Sequence, residues 1–278
     1  MRITLWGTRG SLAAPGPETI RYGGNTSCVE VRTRDNALLV LDAGTGIQRL
    51  GARERGGTGR IDLFLTHLHM DHIQGLGFFE PLYQPGREIQ IWGPPSPTLD
   101  LRGRLARYLS PPLFPVGLRD LPCRLALHNV PPERFEVAGL DIKADLICHP
   151  GPTVGYRISE GSRSIAYLPD HEPALGMRDF PGPAEWTSGF DLAAGADLLI
   201  HDAQYTVEEY DGRIGWGHSA MPDALAFATL TGIGRLVPFH HDPTHDDAML
   251  DRVDSATRAS RPLPFELLAG TEGSIFDI

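Results

Sequence analysis

The sequence has three cysteines, Cys28, Cys123 and Cys148, widely separated and in no CxxC pair. An odd, scattered set excludes a disulfide framework and a cysteine-built zinc cage, and fits reduced thiols of a cytoplasmic protein. The opening MRITLWGTRGS lacks the apolar core of a secretion signal. No apolar run approaches the roughly 20 residues of a membrane-spanning helix, so no membrane partner is expected. Positive charge is also short. Twenty-five Lys and Arg against 35 Asp and Glu leave a net charge of −10, which argues against broad contact with nucleic-acid backbones, although a local basic pocket is compatible with it. What is present is ordinary for a globular chain, 41% apolar and 22% charged residues. At this length about three quarters of the unfolded surface can be buried without covalent staples.

Strand signals come early: RITLWG (2–7), SCVEVRT (27–33), ALLVLDAG (37–44), RIDLFLT (60–66) and EIQIWG (88–93). A helix is expected from Asp71, because an aspartate suits a helix N-terminus, and TLDLRGRLARYL (98–109) has helical spacing. The proline-rich stretch from Ser110 reads as a surface insertion near 110–130. LDIKADLICHP, TVGYRIS, RSIAYLPD, ADLLIHDAQY, RLVPFHHDP and PFELLAG read as further strands. The stretch 219–232 reads as a helix capped by Ser219, and THDDAMLDRVDSATRAS as another helix. Strands in both halves, helices between them and no linker predict one domain over 1–278, with two sheets and helices outside.

The histidines are not scattered. HLHMDH places His67, His69, Asp71 and His72 in six positions directly behind a buried strand. His149, Asp170, His201, Asp202, His218, His240 and His241 also fall at or near predicted strand ends, which meet along one sheet edge. Only 21 positions separate His149 from Asp170, but the other gaps are far longer than zinc-finger spacing. A site assembled by tertiary structure suits them. Neutral imidazoles and carboxylates are good ligands for zinc and similar ions. Two such ions about 3.5–4 Å apart can make a shared water acidic enough to attack near neutral pH.

HLHMDH matches HxHxDH and resembles the signature of the metallo-β-lactamase fold superfamily. LDAGTG, CHPGPTVGYRI, YLPD and PFHHDP occur in that superfamily's order. The resemblance implies an α+β fold, a four-layer αββα sandwich. It implies one metal on His67, His69 and His149, a second on Asp71, His72 and His240, and Asp170 bridging them. Asp42 would support the histidine loop without binding metal. His240 is preferred to His241 because it directly follows the strand; His241 would then serve as an outer support or a substrate contact. The implied cofactors are two divalent ions, by default Zn2+, with Mn2+ or Fe as alternatives. LLIHDAQY and GWGHSAMPDALAFA look like the ribonuclease Z and phosphoribosyl cyclic phosphodiesterase branch. In ribonuclease Z an acidic residue orients a histidine facing the scissile phosphate; the matching pair is Asp202 and His218, although ribonuclease Z usually has glutamate where Asp202 stands. The short interval between His149 and Asp170 leaves no room for a tRNA-clasping arm. With the acidic net charge, it argues against tRNA as a partner. The branch also implies a homodimer, for which no interface signature is evident.

The expected activity is therefore hydrolysis of a small or cyclic nucleotide-like phosphodiester by a bridging hydroxide, with Asp71, Asp202 and His218 as the catalytic set. Two alternatives remain open: a thioester, lactone or β-lactam hydrolase of the same fold, and a non-enzymatic metal-binding sensor. GTRGS (7–11) with Arg9 could cradle a phosphate, but a plain glycine turn is preferred. Asn25 and Ser27 read as turn-shaping, His201 as packing near a strand end, and His245, Asp246 and Asp247 as a helix start. Trp216 sits among glycines just before His218, where it could stack on a ring.

Overall fold

The computed structural model describes residues 1–177, 180–260 and 262–278. The strands are β1 (Arg2–Gly7), β2 (Cys28–Arg32), β3 (Leu38–Leu41), β4 (Ile61–Phe64), β5 (Glu88–Gly93), β6 (Arg124–Asn129), β7 (Phe135–Val137), β8 (Leu140–Leu146), β9 (Val154–Glu160), β10 (Arg163–Leu168), β11 (Leu198–Asp202), β12 (Arg235–Phe239), β13 (Glu266–Leu267) and β14 (Ile275–Asp277). They form two seven-stranded sheets, ordered β14-β1-β2-β3-β4-β5-β6 and β13-β12-β11-β10-β9-β8-β7. In the first sheet the pairs from β14 to β3 are antiparallel and those from β3 to β6 parallel. The second repeats the plan: antiparallel from β7 to β10, parallel from β10 to β13. Each half of the chain thus builds one sheet, and β14 returns to flank β1, a symmetry with no trace as a sequence repeat.

Side-chain alternation explains the layers. Leu39 and Leu41 of β3 join the core between the sheets, with Tyr156, Ile158, Tyr167 and Phe239 from the second sheet. Leu38 and Val40 point the other way and pack with Ile47 and Leu50 of the helix Ile47–Arg53. The second sheet does the same: Ala166, Leu168, Leu199 and Leu236 face outward onto Leu225, Phe227 and Ala228 of the helix Met221–Thr231. Because both faces are covered, β3 reads in sequence as an unbroken apolar run. The result is helices, sheet, sheet, helices, the expected αββα sandwich.

Three local expectations need correction. The 110–130 stretch is not a surface insertion throughout: Arg124–Asn129 is strand β6, parallel to β5, while Phe114 and Leu118 bury against the outer core. The helix expected over 98–109 is shorter, Leu101–Ala106, and starts where Asp100 accepts a hydrogen bond from the Gly103 N–H at 2.7 Å. Ser219 is not a cap. The N-cap of the helix Met221–Thr231 is Ala220, and Ser219 donates its hydroxyl to the His171 carbonyl at 2.6 Å and its N–H to Asp202 at 3.1 Å. The local signal was outweighed by partners that only the tertiary fold supplies. No helix among the described residues is long and apolar enough to cross a membrane.

Candidate metal centre

β3, β4, β8, β10, β11 and β12 all end at the same edge of the sandwich, and the loops and turns leaving those ends build the site. His67 and His69 lie in the loop after β4. His69 precedes the one-turn helix Met70–Ile73, which carries Asp71 and His72. His149 comes after β8, Asp170 after β10 and His240 after β12, while Asp202 ends β11. His240 and Asp42 are held at φ of +62° and +59°, a left-handed backbone that non-glycine residues rarely adopt and that concentrates at functional sites.

Two groups of ligating atoms result. Those of His67, His69 and His149 lie within 4.8 Å of one another, and so do those of Asp71, His72, Asp170 and His240. The Asp170 carboxylate faces both: Oδ2 is 3.7 Å from His67 Nε2, 3.8 Å from His149 Nε2 and 3.2 Å from His240 Nε2, and Oδ1 is 2.9 Å from His72 Nε2. Asp71 Oδ2 is 3.3 Å from His72 Nε2 and 3.1 Å from His240 Nε2.

The outer ring of hydrogen bonds fixes which imidazole nitrogen faces inward. His72 donates through Nδ1 to Asp42 at 2.8 Å, His240 through Nδ1 to Gln204 Oε1 at 2.8 Å, and His149 through Nδ1 to the Gly217 carbonyl at 2.8 Å. Asp42 also accepts from the Thr66 N–H and hydroxyl and from the Tyr167 hydroxyl. The Thr66 oxygen is then free to accept from His67 Nδ1 at 3.1 Å. Each of these imidazoles therefore turns a lone pair toward the cluster. His72 Nε2 faces His240 Nε2 at 3.4 Å, and His149 Nε2 faces His69 Nδ1 at 3.3 Å. The buried His67 Nε2 and Asp170 Oδ1 have no hydrogen-bond partner. Lone pairs pointed at one another and an unsatisfied buried carboxylate oxygen are costly; divalent cations resolve both. The donor set thus fits a metal pair, three imidazoles on one side, two imidazoles and a carboxylate on the other, and one carboxylate between.

Electrostatics agree. Burial, reinforced by His72, holds the His67 imidazole well below its ordinary pKa, and burial also lowers His69 and His149, so these three stay neutral and able to ligate. Burial opposes ionisation of Asp170, but His240 and His72 outweigh it and keep its carboxyl well below the usual range. His72 differs from the other imidazoles. Although burial opposes its charge, Asp170, Asp71 and Asp42 raise its pKa well above the ordinary value, so a cation there would take the place of a proton.

His218 stands at the rim of the cluster. Its Nδ1 is 2.6 Å from Asp202 Oδ2, and its ring stacks on His240 at 4.8 Å and meets His149 edge-on at 5.0 Å. One ligating atom each of His149, Asp170 and His218 lie within 4.8 Å. Burial pulls the His218 pKa down, but the Asp202 charge and hydrogen bond outweigh it and raise the value to about 9. Asp202 is fixed in turn by the Gln204 and Ser219 N–H groups. The shorter aspartate arm reaches His218 at normal hydrogen-bond distance.

Other sequence expectations fall elsewhere. His241 is neither a support nor a substrate contact. The left-handed turn at His240 sends it the other way, where Nε2 donates to the Gly270 carbonyl at 2.7 Å and the ring packs edge-on to Tyr22. Arg9 is fully buried and donates to the carbonyls of Gly23, Asp242 and His245, so it ties loops together. The GTRGS loop still contributes: the Ser11 N–H donates to Asp71 Oδ2 at 2.7 Å. Asn25 bonds Glu272 and Thr45, and Asp247 accepts from the N–H groups of Arg21 and Tyr22. His245 does more than open a helix, since it contacts Glu209 at 2.9 Å. His201 is buried, bonded to His171 and to the Asp202 carbonyl. Sequence reasoning missed Thr66, Tyr167, Gln204 and Glu172. Gln204 lies two positions after Asp202, the one hint of its place; nothing in the residue type marks the others.

A ribonuclease Z from Mycobacterium sp. (strain KMS) is 28% identical over 299 aligned positions, covering 98% of this chain and 94% of that protein. Zn2+-bound PqqB from Methylobacterium extorquens has the same fold, with a TM-score of 0.70 at 22% identity and full coverage of both chains. So does the short form of human tRNase Z, with a TM-score of 0.67 at 24% identity, covering 100% of this chain and 99% of that one. These findings overturn the argument against tRNA. Net charge is an average over the whole surface and says little about one local binding face, and the similarity to ribonuclease Z runs nearly the full length of both chains. Residues 38–241 match the family model of the beta-lactamase superfamily domain, and the chain belongs to that family, on its ribonuclease Z-like branch, as a metal-dependent hydrolase.

Proposed function

We propose that this hydrolase is a phosphodiesterase acting on small or cyclic nucleotide-like phosphodiesters. The observation that carries the reading is the buried Asp202–His218 pair at 2.6 Å, set against a cluster that fits two cations. His67, His69 and His149 would hold one divalent ion, Asp71, His72 and His240 the other, with Asp170 shared. Zinc is the first choice for this imidazole-rich set, with manganese or iron as alternatives. Bound there, the ions would supply charge neutralisation for the phosphate and a water acidic enough to act as nucleophile.

The chain's own part is orientation and proton transfer. Asp42, Gln204 and the Gly217 carbonyl fix the imidazoles that would hold the ions, so little reorganisation would be needed when substrate arrives. As the bond from phosphorus to the leaving oxygen breaks, His218 gives its Nε2 proton to that oxygen. The products are an alcohol and a phosphate monoester, and the imidazole regains its proton from solvent. An alkoxide is about as basic as hydroxide and leaves slowly without a proton, so a held imidazolium has a definite task. A carbonyl hydrolase expelling a thiolate has no comparable need for it.

The metal-loaded protein should be assayed on 2′,3′-cyclic nucleotides, bis(p-nitrophenyl) phosphate, a 3′-extended tRNA precursor, a thioester and a lactone. Turnover of phosphodiesters, reduced about 10²–10⁴-fold by His218→Ala on alkoxide-leaving substrates with metal content unchanged, is the expected result. Turnover confined to the thioester or lactone overturns the reading. The precursor arm decides whether RNA belongs among the substrates.

A further inference from the structure

The segment Arg213–His218 holds His149 through the Gly217 carbonyl and carries His218, but neither task uses Trp216 or the clamp on Gly215. Glu172 is fully buried, and both its carboxylate oxygens accept from this segment: Oε1 from the Gly215 N–H at 2.8 Å and Oε2 from the Gly217 N–H at 2.6 Å, with Oε1 also accepting from the Tyr210 hydroxyl at 2.8 Å. Gly215 and Gly217 both have positive φ, +86° and +88°, so the backbone takes a shape that side-chain-bearing residues resist. At Gly217 a Cβ would also fall 2.3 Å from Pro150 Cδ and 2.4 Å from His149 Nδ1. Trp216, between the two clamped glycines, is 60% exposed. It is one residue from the carbonyl that receives His149 Nδ1 and two from His218. A buried charge that accepts two backbone N–H groups of one loop is a rigid support, and the loop it supports carries a large aromatic ring left open to solvent two residues from His218.

We infer that Trp216 is a specificity-determining residue that stacks on an aromatic ring of the substrate, a nucleobase attached through its sugar to the scissile phosphate, and that Glu172 is the positioning residue that holds its loop. The inference rests on the phosphodiesterase reading and narrows its substrate class to phosphodiesters carrying a base. Stacking on an indole tolerates any base, because every base has a π-face, and an indole held in advance gives up little freedom on binding.

The test uses two substrates with the same scissile bond and leaving group, thymidine 5′-(p-nitrophenyl phosphate) and methyl p-nitrophenyl phosphate. Trp216→Ala should raise KM for the nucleoside substrate roughly five- to 150-fold, the range of one base–aromatic stack, and change the methyl substrate less than about threefold. Trp216→Phe should restore most of the preference. Glu172→Gln keeps the size but puts an N–H₂ where one acceptor was. It should lower the nucleoside-to-methyl ratio of kcat/KM as Trp216→Ala does, and the double variant should show no further loss of that ratio, whereas general damage to the centre lowers both substrates equally. Equal changes on both substrates, or no preference for the nucleoside in the unaltered protein, overturn the inference. If the metal-loaded protein cleaves neither substrate, the phosphodiesterase reading fails instead. Fluorescence quenching by thymidine 5′-monophosphate, compared with Trp216→Phe, then decides the stacking separately: quenching lost in the variant supports it, and unchanged quenching overturns it.

Discussion

Asp202→Asn isolates the electrostatic half of the proposed acid. The change keeps side-chain size. The oxygen that accepts from the Gln204 and Ser219 N–H groups is retained, so the amide nitrogen falls where Oδ2 stood, beside His218 Nδ1 and the His171 N–H. His218 loses its anionic partner while keeping its burial. With Asp202 its pKa is held at about 9; without it the imidazole returns to about 6.5 or below. At pH 8 the protonated fraction then falls from about 90% to about 3%, a loss of about 30-fold in the acid form. Bound cations lower His218 in both proteins, so the separation of the two profiles is the quantity predicted. The assay is kcat/KM against pH on a 2′,3′-cyclic nucleotide, with metal content measured in parallel. The descending limb should move to lower pH by about 2.5 units or more in the variant, and with a p-nitrophenolate leaving group the difference should shrink to a few-fold. Superimposable limbs, or a uniform loss at every pH with full metal content, would refute the reasoning.

Asp42→Ala should weaken metal binding about 10–100-fold in a zinc titration and destabilise the metal-free protein by about 3–5 kcal/mol in urea, since it strands the Thr66 and Tyr167 hydroxyls and His72 Nδ1 in the core. Zinc at 100 times its Kd should stabilise the protein by about 2.7 kcal/mol per site, read as a rise in Tm that a chelator reverses; an unchanged Tm counts against the metal pair. Burial lowers the His201 pKa to about 4. The unfolded chain therefore takes up this proton first, and stability is full above about pH 6.5 and falls as pH drops toward 4. The loss from this imidazole is about 2 kcal/mol at pH 5, measurable by urea denaturation of metal-free protein and smaller in His201→Phe.

The seven side chains of the cluster and the His218–Asp202 pair were legible in the sequence through the family resemblance, which is carried by residue types and short motifs. HLHMDH keeps its ligands within one loop and one helical turn, so local spacing already fixes much of their geometry. Strands flanking the site were legible for a similar reason, since burial on both faces writes itself as apolar runs. The sequence could not say which way adjacent residues face. His240 and His241 differ only by a backbone turn with φ of +62°, and one joins the cluster while the other bonds Gly270. Nor could it reveal Gln204, Tyr167 or Glu172, whose partners lie 36, 125 and 45 positions away; an uncharged amide, a phenol or one more carboxylate carries no signal until packing brings a donor or acceptor to it. β6 was hidden by the proline-rich approach, and the likeness of the two sheets by dissimilar side chains on a shared backbone plan. Residue chemistry and short-range periodicity thus determined which groups could bind metal and which segments could be strands. Tertiary packing decided which nitrogen each histidine turns inward, because that choice belongs to the hydrogen-bond partner on the ring's far side.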